Sequence, residues 1–188
     1  MRRSSQRAND EATKGSPQLI ILGIDPGTRV AGFAVISLID SKVSVLDMGP
    51  IRLDTKKPVE QRAFDLGERV DGLISEHSPR IVFVESVHVS NSVMSSMKLK
   101  MANAAVIDRA IRNKVEYQEV APKSAKKAMT GRGDASKGSV REAVQRLCGA
   151  PTLPQSDAAD AVAIAVCGAS KITAKSDRMG PWITSKEE

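Results

Sequence analysis

Two short runs of this chain are apolar without interruption, and each one ends in a carboxylate. Leu19-Ile20-Ile21-Leu22-Gly23-Ile24 leads into Asp25, and Ile81-Val82-Phe83-Val84 leads into Glu85. A strand with one wet face alternates apolar and polar residues, whereas a strand covered on both faces is apolar throughout. The runs therefore predict two central, adjacent strands of a layered sheet, with both acids at the same end. A third pair, Asp157 and Asp160, opens a stretch from Ala158 to Val166 that is otherwise small and apolar. A carboxylate left unpaired in such surroundings takes up a proton or finds a cation. Along the chain only Arg29, one turn past Asp25, lies beside any of the four acids. A bound divalent metal is the simplest remaining partner.

The rest of the chain supplies elements around those strands. Residues 18–25 read as a buried strand closed by the turn Asp25-Pro26-Gly27. Val30 to Leu38 and Lys42 to Leu53 follow as strands joined by short polar links, a β-meander. Val59 to His77 carries apolar residues at helical spacing (Phe64, Val70, Leu73, Ile74) and is stopped by Pro79. Arg80–Glu85 and Lys114–Val120 read as strands, and residues 93–112, Ser136–Cys148 and Ser156–Ala169 as helices, the last with Ser156 as N-cap. Strands followed by alternating helices and strands predict an α/β fold: a five-stranded mixed sheet flanked by helices. Helix 93–112 has two apolar stripes, Met94-Met97-Met101-Ala105 and Leu99-Ala102-Val106-Ala110. One can pack on the sheet; the other needs a neighbouring helix or a second subunit.

With 188 residues and 41% hydrophobic content, one domain is expected over residues 18–170, between polar tails at 1–17 and 171–188. The first 17 residues lack the apolar core of a secretory signal, and Asp10 and Glu11 count against a transit peptide, so a disordered tail is expected. The longest apolar run, Ala161 to Ala169, is far short of the ~20 residues a membrane helix needs, so a soluble, cytoplasmic protein is expected. Cys148 and Cys167 read as packing residues in a reducing compartment. With His77 and His88 the only histidines, a zinc site built from Cys and His is not expected, and a metal here should be held by oxygen, as Mg²⁺ or Mn²⁺. The net charge of +6 is concentrated: between Arg112 and Arg146 nine basic residues stand against four acids, a local +5. A basic segment beside clustered carboxylates implies a polyanionic substrate, although such a run on its own is equally a solvated face.

Each acid also has an ordinary explanation. Helix N-termini favour carboxylates through the dipole, which covers Asp157 better than Asp160, a turn further in. Asp25 suits an Asp-Pro-Gly turn. Glu85 has the weakest such account, since glutamate follows Val-Phe-Val poorly in a strand. Three residues apart on a helix, Asp157 and Asp160 place their Cβ atoms about 5–6 Å from each other, and their charges repel unless a cation intervenes.

Ile21-Leu22-Gly23-Ile24-Asp25-Pro26-Gly27-Thr28-Arg29, Val84-Glu85-Ser86, Ala121-Pro122-Lys123 with Gly131-Arg132-Gly133 and Lys137, and Gln155-Ser156-Asp157-Ala158-Ala159-Asp160-Ala161 resemble, in order, the motifs of the RuvC-type Holliday-junction resolvases. The resemblance runs from about residue 19 to 170. It implies a ribonuclease-H-like fold, a homodimer, and Mg²⁺-dependent symmetric nicking of four-way DNA junctions in recombination and repair. It makes Asp25, Glu85, Asp157 and Asp160 the catalytic, metal-holding acids, with two Mg²⁺ per site and Mn²⁺ as a substitute. Lys126 and Lys137 would hold the DNA near the site, and Lys123 and Arg132 join them as DNA-binding residues. His88 joins them: three residues after Glu85, relatives carry an aromatic ring that stacks on bases, and histidine stacks less strongly. Two metals about 3.5–4 Å apart would activate water and stabilise the departing 3′ oxygen, leaving 5′-phosphate and 3′-hydroxyl ends. A two-fold dimer matches the approximate two-fold symmetry of the junction, which assigns the Leu99–Ala110 stripe to the subunit interface. A branch-migration helicase complex of the RuvA/RuvB type is the implied partner. The competing readings are a ribonuclease-H-like nuclease acting on structured RNA, an actin-like ATPase fragment suggested by Gly23-Ile24-Asp25-Pro26-Gly27-Thr28, and a non-catalytic nucleic-acid-binding module.

Overall fold

The computed structural model describes residues 17–87, 92–152 and 154–179, with side chains as far as Ala174. In chain order the elements are β1 (Leu19–Asp25), β2 (Val30–Ile39), β3 (Lys42–Arg52), α1 (Val59–His77), β4 (Ile81–Glu85), α2 (Val93–Arg112), β5 (Glu116–Val120), α3 (Pro122–Thr130), α4 (Lys137–Cys148) and α5 (Ser156–Met179). The strands form one sheet in the order β3-β2-β1-β4-β5. The meander β1-β2-β3 is antiparallel, while β1-β4 and β4-β5 are parallel. The two uninterrupted apolar runs are thus neighbours, and β1 is the middle strand.

Alternation along those runs sorts the core into two layers. Ile21, Ile81 and Phe83 point to one face and pack with Val140 and Val144 of α4 and with Ala161 and Ile164 of α5. Leu22, Ile24, Val82 and Val84 point to the other and pack with Leu66 and Val70 of α1 and Val106 of α2. A bulge in β3 leaves Leu46 without a partner between the pairs Val35↔Asp47 and Ile36↔Val45, and its side chain is exposed.

Four expectations are corrected. The stretch 122–130, assigned to no element, is the helix α3: Pro122 starts it, only Ala125 is buried, and its apolar pattern is too sparse to stand out. The last helix does not stop at Ala169 but continues to Met179, into the stretch expected to be polar tail. Ser156 begins that helix, yet its hydroxyl is buried without a hydrogen-bond partner, so it does not cap the helix. The Leu99–Ala110 stripe of α2 is not available to a second subunit, because Ala102, Val106 and Ala110 are buried in the α1/α2 core. The outward stripe is the other one, with Met94 and Met97 largely exposed. Small and β-branched residues let α2 approach α1 and the sheet; the long methionines are left outside. Trp182 and residues 1–16 lie outside the described residues, and Trp182 is unexplained.

Candidate active site

Asp25 and Glu85 stand one step past the last paired residues of the parallel ladder, Ile24↔Val84. By the same alternation they share the sheet face of Ile21 and Phe83, the face covered by α5. Two glycines let α5 come close enough to add its own acids. A Cβ on Gly23 would lie 2.5 Å from the carbonyl oxygen of Ala161, and one on Gly32 would lie 1.9 Å from that of Asp157. Gly32 is the antiparallel partner of Asp25, so the notch that seats the start of α5 also brings Asp157 to Asp25. The approach to α5 is held by Arg141, which donates to the Pro154 carbonyl at 2.8 Å, and by Arg52, which donates to Gln155 Oε1 at 3.4 Å. The loop after Asp25 is held from α1, where Arg62 donates to the Thr28 carbonyl.

The result is a cleft of about 280 Å³ whose lining includes Asp25, Glu85, Asp160, Lys126, Lys137 and Leu99. Burial raises the Asp25 carboxyl well above its ordinary value, and the charges of Glu85, Asp160 and Asp157 push it further up. Burial likewise raises Glu85, followed by the charge of Asp160, and a hydrogen bond with Asp25 works the other way. Asp160 is raised by burial and by Asp157, against the pull of Lys137, whose Nζ stands 3.5 Å from Asp160 Oδ2. That lysine is itself 69% exposed, against 19% for Asp160, so it offsets little of the negative charge. The site is short of positive charge.

The donor set consists of hard carboxylate oxygens, the chemistry that suits Mg²⁺ or Mn²⁺ and not zinc. Among the described residues no three acidic, His or Cys side chains already form a closed ligand set. The deficit of positive charge and the oxygen donors both fit a divalent cation. Cys148 and Cys167 are free thiols, both pushed up by burial, and Cys167 packs in the core as expected.

The basic residues divide. Lys126 and Lys137 line the cleft, and both pull the Glu85 carboxyl downward. The expectation that the acids have no lysine beside them holds only along the chain; packing of α3 and α4 over α5 supplies these two. Lys123 is exposed on α3 and does not line the cleft. Arg132 is turned elsewhere, paired with Asp134 at 3.0 Å on the wall of a separate polar cleft with Ser139 and Arg146. His88 lies outside the described residues. Sequence reading missed Leu99 as a lining residue and Asn103, whose buried amide contacts the end of β4.

A profile of the family described as Crossover junction endodeoxyribonuclease RuvC matches residues 21–168. The chain belongs to the RuvC family. The Crossover junction endodeoxyribonuclease RuvC of Protochlamydia amoebophila is 41% identical over 156 residues, 82% of this chain and 92% of that protein. That of Trichlorobacter lovleyi is 36% identical over 147 residues, 78% of this chain and 83% of that protein. Among solved structures, Thermus thermophilus RuvC in complex with Holliday junction substrate superposes with a TM-score of 0.76 at 26% identity, covering 84% of this chain and 96% of that one. The yeast mitochondrial Holliday junction resolvase Ydc2 shares the fold with a TM-score of 0.62 at 15% identity, over 86% of this chain and 83% of its own. The RuvC match includes all four acids.

Proposed function

We propose that this chain is a metal-dependent endodeoxyribonuclease that resolves four-way (Holliday) DNA junctions by symmetric nicking. The observation that carries the reading is the meeting of Asp25, Glu85 and Asp160 in one cleft, with Asp157 beside them and two lysines at its wall. Asp25, Glu85, Asp157 and Asp160 would hold two Mg²⁺ ions, with Mn²⁺ as a substitute. Bound there, the ions supply an activated water and neutralise charge on the leaving oxygen. The chain's own groups do the rest. Lys126 and Lys137 draw a phosphate toward the acids, which would otherwise repel it, and the apolar side chain of Leu99 keeps bulk water from part of the cleft. Lys123, Arg132 and, outside the described residues, His88 extend the DNA contact beyond the cleft. Nicks made this way carry 5′-phosphate and 3′-hydroxyl ends.

Symmetric nicking calls for two sites, and so for a two-fold dimer. The exposed Met94–Met97 stripe of α2 is its contact surface. Met97→Asp should give a monomer by sedimentation that still binds a junction; a variant that remains dimeric removes this assignment. A branch-migration helicase complex of the RuvA/RuvB type is the partner that would deliver junctions. No helix among the described residues is long and apolar enough to cross a membrane; a cytoplasmic location belongs to the same proposal.

The test is cleavage of a synthetic four-way junction, linear duplex and a structured RNA, each with Mg²⁺ and with EDTA. Paired, ligase-sealable nicks confined to the DNA junction with Mg²⁺ are expected. Cleavage of the RNA alone, or of nothing, overturns the reading.

A further inference from the structure

Asn103 sits in the middle of α2, within the stripe that faces the core, and is only 3% exposed. Asparagine is a poor helix former and a poor core residue, so a buried one requires partners. Its side-chain amide has two. Nδ2 donates to the backbone carbonyl of Glu85 at 2.9 Å and to Oε1 of Glu119 on β5 at 3.3 Å. Lys100, one turn back on α2, lies 3.9 Å from the same Glu119 oxygen.

The position of that first bond matters. The ladder with β1 ends at Ile24↔Val84, one residue short of Glu85. On the other side Glu85 is paired with Val120, and the Ser86 amide donates to the Val120 carbonyl at 2.9 Å. The carbonyl of Glu85 itself bonds to a helix side chain. The peptide unit that sets the direction of the Glu85 side chain is therefore gripped from β5 by backbone and from α2 by Asn103.

We propose that Asn103 is a positioning residue for Glu85: its amide fixes the end of β4 so that the carboxylate is aimed into the cleft ready for a divalent cation. This rests on the reading of the cleft as a metal-dependent nuclease site. Asn103 touches neither substrate nor metal, and it acts through the backbone of Glu85. The competing role is plain packing of α2 on β4 and β5, which the bond to Glu119 would serve equally well.

The two bonds can be separated. Asn103→Ala removes both, while Glu119→Ala removes only the second. In the full-length protein, Asn103→Ala should weaken Mg²⁺ binding, measured by calorimetry without DNA, by roughly tenfold. Its single-turnover junction cleavage at a fixed Mg²⁺ concentration should fall by about tenfold to a hundredfold. Junction binding in EDTA should stay within about twofold of the unaltered protein, because the basic residues are untouched. Glu119→Ala should lower the melting temperature without moving the Mg²⁺ affinity. Asn103→Ser, whose hydroxyl can turn back to its own helix, replaces the alanine variant if that one does not fold. Unchanged Mg²⁺ affinity in the Asn103 variants, an equal loss in Glu119→Ala, or failure of both Asn103 variants to fold would each overturn the proposal. Because calorimetry needs no cleavage, an unaltered protein that binds Mg²⁺ but cuts no junction would count against the proposed function and not against this role.

Discussion

Charge is clustered twice in this molecule, and the two clusters are inside out with respect to each other. Between α1 and α2, Arg109 is the buried member, 15% exposed, and the acids around it are wetter. It meets Glu68 at 2.9 Å, Asp71 at 2.7 Å and Asp108 at 3.7 Å, packs over Gly67, and lies 5.5 Å above the centre of the Phe64 ring. In the cleft the acids are inside, Lys137, paired with Asp160, is outside, and Lys126 stands with it at the wall. A guanidinium can be surrounded by carboxylates that stay hydrated, and such a cluster is complete as it stands. Four carboxylates facing two lysines at the wall are not complete. The first arrangement holds two helices together, and the second holds a place for something else.

Removing a charge should therefore have opposite consequences in the two places. Asp25→Asn should abolish cleavage, by on the order of a thousandfold or more, if Asp25 has the metal-holding role proposed for it. The same change should stabilise the metal-free protein. Burial, Glu85 and Asp160 raise the Asp25 carboxyl, so the folded state holds its proton at a pH where the unfolded chain has lost it. The sign follows: stability of the metal-free protein declines as pH rises from the ordinary aspartate range through the raised value, and the full penalty is present above it. Asparagine removes that penalty. A rise in melting temperature of about 2–4 °C for each kcal/mol relieved is expected at neutral pH in EDTA. A lower melting temperature for Asp25→Asn would mean the site is not charge-frustrated.

The next effect in size tests how the acids are assembled. Gly23→Ala places a methyl group 2.5 Å from the Ala161 carbonyl and 2.8 Å from the Ala165 Cβ, and neither atom belongs to a flexible side chain. The helix must move off β1, at about 1–3 kcal/mol, and it carries Asp157 and Asp160 with it. Loss of stability together with loss of cleavage is expected by thermal melting and junction assay. Full activity in the folded variant would show that the seat of α5 is not what brings the acids together.

On the other side of the comparison, Arg109→Leu should cost about 1–2 kcal/mol, from lost hydrogen bonds and lost packing over Phe64. The acids it leaves behind remain in water, so the cost stays well below that of stranding a buried charge. Cleavage per folded molecule should be unchanged. A large loss of activity would tie the α1/α2 seam to the site.

The pattern of apolar runs ending in Asp25 and Glu85 made the sheet centre and the position of the site readable, because alternation and strand burial are local properties. Spacing along the chain did not make the lysines readable as neighbours of the acids; only the resemblance put Lys126 and Lys137 near the site. Lys126 and Lys137 reach the cleft only because α3 and α4 pack on α5, a long-range fact. The two stripes of α2 have the same periodicity, and only close packing against α1 decides that Val106 goes in and Met97 stays out. Phe64 fitted the helical spacing of a core residue yet is 53% exposed beneath Arg109, since its ring serves as a platform for the guanidinium. Asn103 did leave a trace, a polar residue interrupting the stripe that turns inward. Which carbonyl it would meet depended on the meeting of β4 with α2.

The smallest effect sharpens the reading of glycines as seats for helices. Gly72, on α1, has nothing within 4 Å of where a Cβ would stand and is exposed. Its backbone is helical, so alanine there adds no clash and restricts the unfolded chain. Gly72→Ala should stabilise by about 0.5–1 kcal/mol with cleavage unchanged. Gly23→Ala, the same addition of one methyl, should do the reverse. If both variants shift stability in the same direction, close approach of α5 is not what requires glycine at position 23, and the argument for how Asp157 and Asp160 reach Asp25 loses its support.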